Sequence, residues 1–199
     1  MTELVAVESR SPAPKPISNR PGTTSPYVAD GVETAMMWVS ALQHTTGPTA
    51  MILTRQKLPV IAREVGFNTS DVLKGGYVVF APAAADVVIM ASGSEVHVAV
   101  EAAAMLAEKG TKARIVSVPC LEQFMAQPQS YRDAVLPAGI PRVAFEAGRS
   151  ESWGRLIGCD GLFIGIEHFG ASAPDKVLAE KFGFTAPQVA EKITSFLKK

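Results

Sequence analysis

The sequence predicts an α/β protein built on a parallel or mostly parallel sheet with helices on both faces. From residue 77 to the end, short apolar runs alternate with segments whose apolar residues recur at helical spacing. This alternation is typical of βαβ units, in which a helix packs on the sheet between two parallel strands. The amino end shows neither pattern, so ordered structure is predicted to begin at Asp30.

Local signals delimit the elements of the alternating region. Gly110 follows a helical pattern at the position where a left-handed residue commonly ends a helix. Thr185 and Gln188 have the spacing of a capping box before the last helix. The predicted strands are residues 77–80, 86–91, 113–118, 142–146 and 162–166. The predicted helices are residues 94–109, 121–126, 130–135, 150–157, 174–182 and 186–197.

A smaller α/β segment precedes this region. Asp30 and Glu33 have capping-box spacing, and an amphipathic helical stripe follows them. Residues 49–54 form an apolar run that suits a buried strand. Glycines and a proline punctuate residues 56–76, which are therefore predicted to be a connection with one helical turn.

Residues 1–29 are predicted to be a flexible, disordered arm. They are rich in Pro, Ser and Thr and show little apolar periodicity. Prolines lack an amide donor and hold the preceding residue in extended conformations, which disfavours helices and central strands. The chain is thus divided into this arm, a partial α/β segment at residues 30–74 and an α/β domain at residues 75–199.

Composition and charge exclude several classes of protein. Lys+Arg and Asp+Glu number 19 each, so no basic excess favours nucleic acid. The longest apolar run, residues 87–91, is too short for a membrane span, and the acidic, proline-rich amino end is not a secretory signal. Cys120 and Cys159 are predicted to be buried, reduced thiols, with a disulfide as the alternative. We therefore expect a cytoplasmic protein.

Few residues qualify as candidate site residues. Residues 92–95, SGSE, lie between a strand and a helix, where free amides can hold a phosphate. The stretch matches neither GxGxxG nor GxxxxGK[ST], and Glu95 would repel an anion, so a structural turn is the favoured interpretation. His44, His97 and His168 share no metal-ligand spacing. We expect surface or packing roles for them, although His168 follows a strand end, where α/β proteins bind ligands.

Arg55 is the most interesting single residue. It directly follows the predicted strand at residues 49–54, where side chains project into the crevice at the carboxyl edge of a sheet. A guanidinium offers a fixed fork of donors for phosphate oxygens. On position alone, a surface salt bridge is at least as good an explanation.

Three stretches together resemble transketolases. Residues 53–59, LTRQKLP, are similar to the LTRQxLP segment of that family. Residues 92–96, SGSEV, resemble its (A/S)TGSEV-type turn. Residues 164–174, IGIEHFGASAP, and the FGFT at residues 182–185 resemble its GIDxFGASAP…FGFT ending. The order and spacing also agree, so the resemblance extends from about residue 30 to the C-terminus.

The resemblance implies a fold and an activity. Residues 30–74 would be the tail of the pyrimidine-binding domain, and residues 75–199 a C-terminal domain with a doubly wound, mixed sheet. Transketolases use thiamine diphosphate with Mg²⁺ or Ca²⁺ to move a two-carbon ketol unit from a ketose phosphate to an aldose phosphate. The arginine of LTRQxLP binds the sugar phosphate in the family, so the resemblance assigns substrate-phosphate binding to Arg55.

The chain also departs from the family pattern. The diphosphate- and metal-binding GDG region, the glutamate that activates the aminopyrimidine and the histidines that contact the sugar have no counterpart here. Arg20-Pro21 resembles the RPAD start of a family helix, but residues 22–28 intervene before the matching Ala29-Asp30. We therefore expect no catalytic, cofactor-binding or metal-binding residue in this chain.

The hypothesis is a C-terminal segment or subunit of a transketolase that is inactive alone. Its expected partners are a chain with the diphosphate- and pyrimidine-binding domains, or further copies of itself, and sugar phosphates. The alternatives are a non-catalytic binding or regulatory module and a truncated remnant, because a fold does not determine a function.

Overall fold

The structure, a computed structural model, describes residues 22–54 and 56–198. Its centre is a 5-stranded sheet with the order β1-β3-β2-β4-β5. β1 pairs with β3 in antiparallel orientation, and the other neighbours are parallel. The predicted α/β class and the doubly wound, mostly parallel sheet are therefore confirmed. The strands are β1 (Tyr77–Phe80), β2 (Val87–Ala91), β3 (Ala113–Ser117), β4 (Arg142–Phe145) and β5 (Leu162–Ile164).

Helices connect the strands, and none in the described part of the chain is long and apolar enough to cross a membrane. The α-helices are α1 (Gly31–Gln43), α2 (Glu95–Glu108), α3 (Leu121–Met125), α4 (Gln129–Val135), α5 (Gly154–Ile157), α6 (Asp175–Phe182) and α7 (Ala186–Leu197). Shorter 3₁₀ helices lie at Thr69–Lys74 and Ser150–Ser152.

The central strand β2 is buried on both faces and divides the core into two clusters. Val87 and Ile89 pack with residues of α2 and α7. Val88 and Met90 point the other way and pack with residues of α3, α4 and α5. Since each fully buried side chain of this size contributes roughly 1.5–3 kcal/mol, β2 supports the helical layers on both sides of the sheet.

The strand order reverses at β2. The chain passes from β2 through α2 to β3 on one side, and β4 later adds to the other side of β2. Helices on opposite faces then diverge at the carboxyl ends of β2 and β4. This topological switch point is where open α/β sheets form a ligand crevice.

The structure differs from the predicted arm at residues 22–29. Two isolated parallel bridges join this stretch to residues 49–52, and Val28 and Ala29 are buried. Composition did not predict this packing because tertiary hydrogen bonds, rather than local periodicity, hold the segment. Residues 1–21 lie outside the described residues, so the arm stays a prediction there.

The predicted buried strand at residues 49–54 is wrong. The segment makes only the two bridges, and Leu53 is 52% exposed. An apolar run predicts burial, but a ladder also needs neighbouring strands. In the described part of the chain, only residues 24–27 pair with it.

The predicted helix caps are confirmed in part. The side chain of Asp30 accepts a hydrogen bond from Glu33 N at 3.0 Å, but Glu33 binds the amide of Ala29 instead of returning to Asp30. Thr185 Oγ1 donates to Gln188 Oε1 at 2.7 Å and makes no bond to the backbone. The start positions were nevertheless right, because an extended residue before the first turn is enough to begin a helix.

Candidate functional site

Arg55 lies outside the described residues, whereas its neighbours Thr54 and Gln56 are described. Thr54 Oγ1 accepts a hydrogen bond from Gln56 N at 3.1 Å. Gln56 Nε2 then donates to Asp175 Oδ2 at 2.9 Å. Asp175 is the first residue of α6 and directly follows residues 164–174. The LTRQKLP stretch therefore contacts the residue that directly follows the IGIEHFGASAP stretch.

Polar side chains also lie at the switch point of the sheet. Ser92 follows β2, Glu146 follows the neighbouring β4, and Ser92 Oγ donates a hydrogen bond to Glu146 Oε2. Beyond β5, the carboxylate of Glu167 accepts a hydrogen bond from Ser150 N at 2.9 Å. Because the carboxyl ends of parallel strands share one edge, these carboxylates line the same side of the domain.

Glu95 is a buried acid in the first turn of α2. Burial raises its pKa to about 7, against the opposing hydrogen bonds from Ser94 and from the Glu95 backbone. Ser94 Oγ donates to Glu95 Oε1 at 3.0 Å and does not cap the helix. The helix dipole favours an anion here by only about 0.3–1 kcal/mol, so the larger effect of desolvation raises the pKa of Glu95. Glu95 can consequently gain or lose a proton near neutral pH.

The turn that precedes α2 is already occupied by the protein. Gly93 adopts a φ of +54° and donates its amide to Tyr27 O at 3.3 Å. Tyr27 N donates in turn to Pro119 O at 2.7 Å, so the segment spans the carboxyl ends of β2 and β3. Since a protein carbonyl uses the amide that would hold a phosphate, the geometry supports the structural interpretation of residues 92–95.

The three histidines lie apart from one another. His97 Nε2 is 2.8 Å from Ala29 O, and His44 Nδ1 lies within 3.4 Å of two threonine hydroxyls. His168 is exposed, and its ring lies 5.3 Å from that of Phe182. Among residues 22–54 and 56–198, no three His, Cys, Asp or Glu side chains converge to hold a metal ion.

The prediction of free thiols is confirmed for both cysteines, whereas the prediction of burial is confirmed for Cys120 and wrong for Cys159. Cys120 is buried and free, and burial raises the pKa of its thiol to about 12. Cys159 is also free but exposed. It follows Gly158, whose φ of +73° turns the chain away from the core between α5 and β5.

A buried polar network that the sequence did not predict links α1 to the sheet. Glu33 Oε1 accepts hydrogen bonds from Tyr77 Oη at 2.8 Å and from Ser117 Oγ at 2.6 Å. Glu33 Oε2 accepts one from Ala29 N at 2.7 Å. Burial nevertheless raises the pKa of Glu33, because the three donors offset desolvation only in part.

Arg63 extends this network. It donates to both carboxylate oxygens of Asp30, at 2.7 and 3.0 Å, and to Tyr77 Oη at 2.9 Å. Burial opposes ionisation of Asp30, but the bonds from Arg63 and from two backbone amides lower its pKa overall. The capping pattern identified Asp30 and Glu33 only as helix-start residues. No local pattern marks Arg63, Tyr77 or Ser117, since the fold alone brings them together.

The mixed five-stranded sheet and the carboxylates at its switch point define a doubly wound α/β domain. Residues 75–185, more than half of the chain, match the family model described as the transketolase-like TK C-terminal domain. The chain therefore belongs to the transketolase C-terminal-domain family and corresponds to the C-terminal portion of transketolases. The resemblance carried by the three stretches is thereby confirmed.

Individual relatives agree with this assignment. The plasmid-encoded transketolase of Cupriavidus necator is 47% identical over 161 residues, which cover 81% of this chain and 24% of the relative. The Pichia stipitis transketolase, solved in complex with sedoheptulose-7-phosphate, superimposes with a TM-score of 0.83 at 34% identity and covers 89% of this chain and 25% of that one. The chain thus spans about a quarter of the length of these relatives.

A split-gene transketolase, solved as an inactive β4 tetramer, also superimposes. The TM-score is 0.73 at 21% identity, over 92% of this chain and 60% of that one. At this identity, the similarity concerns the fold alone.

Proposed function

We propose that this chain serves as the C-terminal part of a thiamine-diphosphate-dependent transketolase that acts on sugar phosphates. The observation that carries the proposal is the family match together with the one-quarter coverage of the relatives. On this proposal, the chain contributes the C-terminal domain and one arginine of the substrate site. On the same proposal, a second chain supplies the diphosphate- and pyrimidine-binding domains.

Arg55 is the residue that we propose to bind the substrate phosphate. The following residue, Gln56, is tethered to the start of α6 by its hydrogen bond to Asp175. A tethered loop loses less conformational entropy when an anion binds, so more of the interaction energy appears as affinity. A charge-assisted hydrogen bond of this kind contributes about 1.5–3 kcal/mol.

The cofactor and its metal ion do not fit the residues described here. No group of three potential metal ligands exists among residues 22–54 and 56–198. The two buried acids at the start of α1, the N-cap residue Asp30 and Glu33, are already bound by protein donors. We therefore assign thiamine diphosphate and Mg²⁺ or Ca²⁺ to the partner chain. As a separate proposal, we place the assembly in the cytoplasm.

The surface of α1 supports the need for a partner. Trp38, Val39 and Leu42 are 51%, 39% and 79% exposed, and their spacing places them on one side of the helix. The opposite side, with Met37 and Glu33, is buried. Contiguous apolar surface of this kind marks protein contact sites.

The test of the assembly begins with the tagged chain purified from its native source. Every polypeptide that co-purifies is identified, and the eluate is assayed for ketol transfer with thiamine diphosphate and Mg²⁺. We expect a partner with the other two domains, together with activity. Recovery of the chain alone and inactive would contradict the proposal.

The test of Arg55 uses the assembled enzyme. Arg55→Gln is expected to raise KM for phosphorylated sugars by about tenfold or more, and to change KM for unphosphorylated sugars little. Lys57→Gln, an exposed cation two residues away, is the matched control and should leave both KM values near wild type. Equal effects of Arg55→Gln on both classes of sugar would remove this residue from the phosphate site.

The alternative function is a non-catalytic binding module. The exposed side of α1 favours it as much as it favours an enzyme subunit, because both need a surface for a protein partner. The activity assay separates the two: a stable complex without ketol transfer supports the module, and ketol transfer excludes it.

A further inference from the structure

A depression of about 250 Å³ lies on the opposite side of the domain from the switch point. Its wall includes Arg132 of α4, Arg142 at the first position of β4 and Arg155 of α5. The amino end of β4 therefore borders this depression, whereas Glu146 at the switch point follows its carboxyl end. The depression is thus separate from the edge of the sheet that carries Ser92, Glu95 and Glu146.

Two of these arginines are held in place by neutral backbone groups. Arg142 donates to Leu156 O at 2.9 Å and to Leu136 O at 2.8 Å. Arg132 donates to Gln127 O at 2.9 Å, to Met125 O at 2.5 Å and to the side-chain carbonyl of Gln129 at 2.5 Å. A guanidinium has five N–H donors, so each side chain keeps donors for another acceptor. The carbonyls fix the two side chains without cancelling their charge.

The third arginine has no partner in the described part of the chain. Arg155 is exposed and makes no hydrogen bond or ion pair with residues 22–54 or 56–198. None of the ion pairs within 4.0 Å in the same residues includes Arg132, Arg142 or Arg155. Asp133 is the acid in the wall, and its carboxylate accepts a hydrogen bond from Gln129 Nε2 at 2.7 Å.

We propose that this depression is a binding site for the phosphate group of a small phosphorylated molecule. Three arginines and one aspartate line the depression, so the wall carries a local excess of positive charge. Planar guanidiniums match the tetrahedral array of phosphate oxygens through paired N–H donors. Arg132 and Arg142 form a pre-set part of the site, and Arg155 closes on the ligand from its exposed position.

The experiment follows the binding of inorganic phosphate to the full isotope-labelled chain by NMR at constant ionic strength. Saturable shifts are expected at the backbone amides of α4 and α5. Arg155→Gln should weaken this binding at least about tenfold, the lower bound for loss of a charge-assisted hydrogen bond. Because Arg155 has no partner in the described residues, this variant should fold like the wild type.

Controls separate this site from other cations of the chain. Arg149→Gln removes an equal charge from an exposed position outside the depression, and Arg55→Gln removes the proposed substrate arginine. Both should leave the shifts of α4 and α5 and their saturation unchanged. Absence of saturable shifts there, equal weakening by Arg149→Gln, or equally tight binding of the dicarboxylate malonate would each overturn the proposal. The assay uses this chain alone, so its outcome is independent of the transketolase partner.

Discussion

Glu33 and Glu95 are both buried carboxylates, but the protein surrounds them differently. Glu33 receives three hydrogen bonds, from Tyr77, Ser117 and the amide of Ala29. Glu95 receives a side-chain hydrogen bond from Ser94. Burial raises the pKa of both, because desolvation penalises the charged form more than these donors favour it. Because hydrogen bonds offset the desolvation of Glu95 only in part, the stability of the folded protein depends on pH.

The ionisation of Glu95 is predicted to lower stability as pH rises. Its pKa is about 7 in the folded protein against a reference of 4.5, so between these values the folded state holds more protons than the unfolded state. The free energy of unfolding therefore falls across this window, on the order of 1.4 kcal/mol per unit of pKa shift. Glu95→Gln should remove this contribution, as measured by urea unfolding at several pH values from about 5 to 7.5.

The matched control for this prediction is Glu101→Gln, an exposed acid on the same helix. In this control, the free energy of unfolding should depend on pH as it does in the wild type. The raised pKa of Glu33 also makes the free energy of unfolding fall as pH rises. The informative quantity is therefore the difference between Glu95→Gln and the wild type in the slope of the unfolding free energy against pH. Identical slopes in the three proteins would refute the raised pKa of Glu95.

At the scale of elements, local signals predicted the last helix correctly but wrongly predicted a strand at residues 49–54. The last helix was predicted at residues 186–197 and is found at Ala186–Leu197. Its apolar spacing is complete within the segment itself, and so is its cap position. Residues 49–54 have an equally clear apolar run, yet a strand exists only where other strands bind it. In the described chain, two bridges are all that it receives.

The connection before β1 depends on a glycine that has no room for a side chain. Gly75 has a φ of +80°, and an added Cβ would lie 2.3 Å from Cys120 O and 2.5 Å from Phe124 N. Gly110 has nearly the same φ, +82°, but nothing lies within 4 Å of its Cβ position. Gly110→Ala should cost about 1–2 kcal/mol of backbone strain, whereas Gly75→Ala should cost about 2–5 kcal/mol because backbone atoms must also move.

Urea unfolding of the two variants measures this difference directly. Failure of Gly75→Ala to accumulate as folded protein, while Gly110→Ala folds, would agree with the prediction. Equal costs in the two variants would contradict the close approach of α3 to residue 75.

At the scale of the whole molecule, the chain presents apolar surface that the other residues of 22–54 and 56–198 leave uncovered. The exposed side of α1 carries Trp38, Val39 and Leu42, and Leu53 nearby in the same segment is also exposed. The relatives are about four times as long as the part of them that this chain covers. Both facts agree with the proposed role as one part of a larger assembly.

The double substitution Trp38→Gln and Leu42→Gln is predicted to weaken partner binding. Removing two apolar side chains from a buried interface should raise the Kd at least about tenfold, since each buried side chain contributes roughly 1.5–3 kcal/mol. Stability of the isolated chain should change little, because both side chains are exposed. Retention of the partner in the purification assay, as a function of chain concentration, gives the Kd.

The control for this surface is Val100→Gln, which alters an apolar residue of α2 that is 38% exposed. Partner retention equal to wild type is expected for the control alone. Unchanged retention in the α1 variant as well would exclude this side of the helix as the contact surface.

The sequence by itself determined the fold class, most element positions and the family, because periodicity, caps and ordered motifs are local properties of the chain. Only the tertiary structure decided the packing of residues 22–29, the Glu33–Tyr77–Ser117 network and the arginine-lined depression. Each of these depends on residues far apart in the sequence. Their distances, burial and charge balance come into existence only when the sheet assembles, so no local pattern can encode them.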